Sequence, residues 1–141
     1  MNLSNILSIS GKNGLFKLIS QGKNNFIVES FEDKKRFSAF QSDGVSALDN
    51  ISIYMHDGMM ELKNVFQSIY SKQAQQQLEY KEWTELQMRD YFKEIVPDYD
   101  EERVFISNIK KIYQWYNILL TNDLISIDEP NAEIVQEPNE E

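Results

Sequence analysis

The apolar residues of this 141-residue chain change period near residue 57, and that change limits the fold more than any other feature of the sequence. Before it, apolar residues come in short runs broken by turn signals. Leu15 to Ile19 follows Gly11-Lys12-Asn13-Gly14. Phe26 to Phe31 follows a second turn at Gln21 to Asn25, and Arg36 to Phe40 follows the polar turn Glu32 to Lys35. Ile51 to Tyr54 alternates apolar and polar, and Asn5 to Ile9 completes the set. Runs of this length, rich in β-branched and aromatic residues and bounded by Gly and Asn, predict short strands joined as hairpins. Ser46 to Asp49 reads as one helical turn with Ser46 as its cap.

After residue 57 the period is helical. Leu62, Val65, Phe66 and Ile69 share one face, as do Met88, Tyr91, Phe92 and Ile95. Thr84 with Gln87 three residues on fits a capping box, and Pro97 ends the second helix at or just before Val96. Ser71 to Gln77 is polar and reads as a connection or a frayed end. Asp98 to Glu102 reads as a turn or helix start. A third helix is predicted with Ser107 as its N-cap and a broad stripe of Ile109, Ile112, Tyr113, Tyr116, Leu119 and Leu120.

Charge adds a third zone. Residues 1–57 are neutral overall, 58–127 carry −3, and 128–141 carry −6 without a single base, which together make the net charge of −9. The last stretch holds two prolines and few apolar residues, too few to offset its ordering entropy, so it is expected to be a disordered acidic tail. An acidic chain is a poor general ligand for DNA, because phosphate affinity comes mainly from Lys and Arg.

The sequence excludes much chemistry. With no cysteine there is no disulfide, thiolate zinc site or Cys nucleophile, and that composition suits the cytoplasm. The opening residues lack a basic region, and no apolar run approaches the roughly 20 residues of a membrane span. Gly11-Lys12-Asn13-Gly14 lacks the spacing of a P-loop and reads as a turn. His56, the single histidine, reads as an exposed loop residue between strand and helix. Asp98, Asp100 and Glu102 have Arg103 where a calcium loop needs glycine, and Ile109 where it needs glutamate. No catalytic residue, metal site, cofactor or small-molecule ligand is implied, and the chain is expected not to be an enzyme.

Two features point toward binding. Lys34, Lys35 and Arg36 lie among Phe31, Phe37 and Phe40, a combination that single-stranded nucleic acid can use, although the Phe residues also read as alternating into the core. Trp115 becomes a partner anchor if it stands off the last helix's stripe and is exposed.

Ile6 to Lys12 with Gly14 to Leu18, Phe26 to Ser30, and Ser46 to Tyr54 resemble a family of small bacterial proteins that share a domain of unknown function. The resemblance extends through Pro97 to Asp100, Arg103-Val104, Ser107 to Ile112 and Trp115 to Asn117, covering about residues 3–120. Asn13 departs from it, where the family has proline. The resemblance implies a β-rich first part and a helical second part, and carries no activity or ligand.

The expected fold is therefore α+β. A small antiparallel SH3-like β-barrel or roll occupies 1–57, a two- to three-helix part occupies 58–127, and the acidic tail follows. The expected function is that of a non-enzymatic protein-interaction module, through an unidentified protein partner or self-association. The alternative is an RNA- or ribosome-associated protein using Lys34, Lys35 and Arg36. An enzyme with an unrecognised carboxylate site is the third reading.

Overall fold

A computed structural model describes residues 1–125, and the expected acidic tail at 128–141 lies outside them. The first half forms seven strands: β1 (Ile6–Ile9), β2 (Phe16–Gln21), β3 (Asn25–Ser30), β4 (Arg36–Phe40), β5 (Val45–Ala47), β6 (Ser52–Tyr54) and β7 (Met59–Glu61). The first five make one antiparallel sheet in the order β4-β3-β2-β1-β5, and β6 pairs with β7 as a separate hairpin. Three helices follow: α1 (Leu62–Lys72), α2 (Glu85–Ile95) and α3 (Ile106–Thr121).

The sheet does not close into the expected barrel. Its edges are β4 and β5, which are not paired with each other. The short helical turn Gln41–Asp43 and Gly44, at φ +76°, carry the chain from one edge to the other. β5 is only three residues long and all of its pairing is with β1. Curvature still lets the sheet bury a small cluster of Leu7, Ile9, Phe16, Val28 and Ala39 on one face.

Several local expectations also change. Ser46 lies within β5 opposite Ser8, and the helical turn begins at Leu48. His56 sits in the turn of the β6–β7 hairpin, exposed, so strand pairing continues past residue 57. Phe40 is 47% exposed and is not core, because the inward face of β4 is carried by Phe37 and Ala39.

The helices follow the period of the sequence. Leu62, Val65, Phe66 and Ile69 are the buried stripe of α1. Thr84 and Gln87 form the capping box of α2, each side chain accepting from the other's backbone N–H, at 3.2 and 2.8 Å. α2 stops at Ile95, two residues before Pro97. α3 starts earlier than its serine suggested. Ser107 lies in the first turn, and the Phe105 N–H donates to Asn108 Oδ1 at 2.9 Å. A short side chain three residues inside the helix thus does the work expected of a cap.

α3 joins the two halves. Its Ile109, Ile112, Tyr113, Tyr116 and Leu119 belong to the same buried cluster as Ile6, Leu15 and Leu48 of the sheet region. Tyr113 stacks against Tyr80, Trp83, Tyr91 and Phe92, with ring centroids 5.5 to 6.4 Å apart. Its hydroxyl donates to the Met88 carbonyl at 2.6 Å. The connection between α1 and α2 has no ladder of its own, so its backbone polar groups are paired by α3. Asn117 accepts from Leu78 N–H at 2.8 Å and donates to its carbonyl at 2.9 Å, and the Tyr116 hydroxyl donates to Gln76 O. This answers where the buried backbone of a loop finds its partners.

Candidate binding groove

The sheet and α3 are sealed at one end and open at the other. Along β1 the residues facing α3 alternate with those facing the small core, as strand geometry requires. Ile6 joins the large core, but two residues on Ser8 meets the space beside α3, and Ser10 follows it. Ser8 pairs with Ser46 across the β1–β5 ladder. Opposite these hydroxyls α3 presents Asn108, Lys111 and Gln114. The result is an open groove of about 690 Å³, with Trp115 and Ile51 among its walls and the turn Gly11 to Gly14 at its rim.

The chemistry of the lining is one-sided. It offers three serine hydroxyls, three side-chain amides and the ammonium groups of Lys12 and Lys111, and no carboxylate. Lys12 Nζ lies 5.1 Å from the centre of the Phe37 ring. Among the described residues neither Lys12 nor Lys111 forms an ion pair. A smaller recess of about 160 Å³ continues past Trp115 and Lys111 to Tyr54 and Arg103, again without a carboxylate in its walls. Arg103 lies over the Tyr54 ring at 4.4 Å and pairs with Asp100 at 2.8 Å. That hydrogen bond from Arg103, and another from the Glu102 N–H, hold the Asp100 carboxyl below the usual carboxylate range. Glu32 approaches Gly14 but lines a neighbouring recess with Gln77, Tyr80 and Lys81.

Backbone geometry holds the groove's shape. Gly11, Gly14 and Gly44 all have positive φ. At Gly44 space matters as well, since a Cβ there would stand 2.6 Å from Ser10 Oγ. The Ser10 N–H donates to Gly44 O at 3.1 Å, which ties the glycine turn to β5. A donor-rich, acid-free wall of this kind suits an anion with several oxygens.

The residues singled out in the sequence fall elsewhere or change role. Trp115 is 8% exposed, so it is a buried wall of the groove rather than an exposed partner anchor. Lys34, Lys35 and Arg36 do not form a single free basic patch. Arg36 pairs with Glu29 at 2.9 Å. Lys34 donates to Asn122 Oδ1 at 3.4 Å and lies over the Phe31 ring. Lys35 is exposed. Sequence reasoning passed over Lys12, Lys111 and the serines. Their one signal is the alternation Ile6, Ser8, Ser10, in which a strand face turns from apolar to polar just before a glycine turn.

Among the described residues no group of three or more His, Asp or Glu is assembled as a metal site, and no helix is long and apolar enough to cross a membrane. Burial raises the hydroxyl pKa of Tyr80, Tyr91 and Tyr113, and pushes that of Tyr116 up to about 12. All four belong to the packing around α3, and none lines the groove.

Comparison with known proteins agrees with this architecture. Residues 3–48 match a domain of unknown function (DUF5606), and residues 51–119 match another (DUF6852). The solution NMR structure of a protein from Bacteroides vulgatus is similar over 99% of this chain and 100% of its own, at 37% identity and a TM-score of 0.73. A search of the curated proteins found no match. The chain belongs to this family of uncharacterised bacterial proteins, with a β-rich first part and a helical second part. The two matched stretches share one apolar cluster, so they are parts of one packed body.

Proposed function

We propose that the protein is a non-enzymatic interaction module whose groove between β1, β5 and α3 holds an acidic segment of a protein partner. One observation carries the reading. A chain of net charge −9 has a groove that, among the described residues, holds two lysines without an ion pair, rows of hydroxyl and amide groups, and no carboxylate in its walls. Charge complementarity of this kind selects a partner and speeds encounter. Both lysines are exposed, so each ammonium–carboxylate contact contributes up to about 1 kcal/mol.

The test is fluorescence anisotropy with a labelled peptide of consecutive glutamates. The Lys12→Ala, Lys111→Ala double variant is expected to bind at least about tenfold more weakly than the unaltered chain, and binding is expected to weaken with salt. Equal affinity for the two proteins would remove the reading.

A second reading, single-stranded RNA, is favoured by the exposed face of edge strand β4, where Arg36, Ser38 and Phe40 alternate outward. Stacking on Phe40 would supply the sequence-tolerant part of such binding. Recovery of partners from a lysate before and after nuclease treatment separates the two, because only an RNA-bridged set disappears with nuclease.

A further inference from the structure

We infer that the groove is occupied in cis by the chain's own acidic segment 128–141, which competes with an external acidic partner. The inference rests on the acidic-peptide reading of the groove and names the regulation of that site. Two observations carry it. Segment 128–141 holds six acids and no base, and the groove offers two lysines and no acid. The described chain ends at Ile125, four residues beyond α3.

The geometry allows the return. Lys111 lies ten residues before Thr121 on α3, about 15 Å back along the axis at the helical rise. An extended chain advances about 3.3 Å per residue, so some five or six residues cover that distance. Tethering makes the local concentration of such a segment of the order of millimolar, so a weak contact suffices to compete.

The experiment compares amide NMR spectra of two full-length proteins. One is the unaltered chain, and the other carries Asp128→Asn with Glu129, Glu133, Glu137, Glu140 and Glu141 each changed to Gln. Expected differences include the amides of Gly11, Lys12, Gly14 and Lys111 and the Trp115 indole N–H. They should shrink at high salt and stay constant on tenfold dilution. Differences confined to the altered segment and its chain neighbours would overturn the inference, and differences that fade on dilution would assign the contact to a second copy instead.

A glutamate peptide is then titrated into the neutralised variant. Shifts at the same signals, lost with Lys12→Ala and Lys111→Ala, support the groove as an acid-binding site even if the cis contact has failed. Absence of those shifts removes the groove reading itself.

Discussion

The two ends of the seam between the sheet region and α3 end up chemically opposite. At one end Ile6, Leu15 and Leu48 meet Ile112, Tyr116 and Leu119 with almost no exposure. At the other, Ser8, Ser10 and Ser46 face Asn108, Lys111 and Gln114 across open space. Burial of apolar surface accounts for the first end, at about 25 cal/mol per Å² removed from water. No comparable gain accounts for the second. The apolar cluster that unites the sheet region with α3 does not extend to this end. A polar, lysine-bearing end therefore adds little to stability. Changes at the sealed end should cost folding energy, and changes at the open end should cost binding.

The largest expected effect is that of alkali on the sealed end. Burial raises the pKa of Tyr80, Tyr91, Tyr113 and Tyr116 in the folded chain above their ordinary value of 10.0. Above that pH the unfolded chain releases these protons while the folded chain keeps them. Stability is thus full below pH 10 and falls as pH rises toward the folded values, about 12 for Tyr116. Tyrosinate absorbance should appear together with the loss of helical circular dichroism. Smooth ionisation of all seven tyrosines before unfolding would contradict the sealed packing.

Next in size is Tyr113→Ala, which empties the centre of an aromatic cluster and strips the Met88 carbonyl of its donor. It should lower unfolding free energy by about 3–5 kcal/mol in a denaturant titration, if the chain still folds. Tyr113→Phe keeps the ring and should cost only about 1–2 kcal/mol. A cost for Tyr113→Ala as small as that for Tyr113→Phe would show that the ring contacts matter little.

Asn117→Ala should follow at about 2 kcal/mol, since it leaves both the N–H and the carbonyl of Leu78 without their partner. Limited proteolysis should then cut first between residues 73 and 84. Unchanged cleavage would mean that this connection is held by Tyr116 and its apolar contacts alone.

The smallest effect on stability is expected at the open end. Ser8→Val with Ser46→Val replaces two facing hydroxyls by β-branched side chains that suit a strand pair. Unfolding free energy should change by less than about 1 kcal/mol, while affinity for an acidic peptide should fall several-fold. A large loss of stability with binding intact would invert the comparison.

Much of this was legible from spacing alone. The short apolar runs between turn signals at residues 5–9, 15–19, 26–31, 36–40 and 51–54 placed β1, β2, β3, β4 and β6, and the i, i+3, i+4 stripes placed all three helices. Thr84-x-x-Gln87 and Pro97 marked the two ends of α2 because both act through the local backbone. What escaped is short or non-local. β5 and β7 have three residues each, too few to display a period, and each exists only because a partner strand lies beside it. Phe40 looked like core because strand alternation gives two faces without saying which one is covered.

The sequence by itself determined the change of period, the apolar stripes of the helices, the two ends of α2 and the concentration of negative charge after residue 127, since these depend on neighbours within a few positions. Only the tertiary structure decided that the sheet stays open, that Trp115 is a wall rather than an anchor, and that Lys12 and Lys111, ninety-nine positions apart, line one groove without a carboxylate in it. Those outcomes depend on which faces meet after the chain has folded back, and no local pattern carries that information.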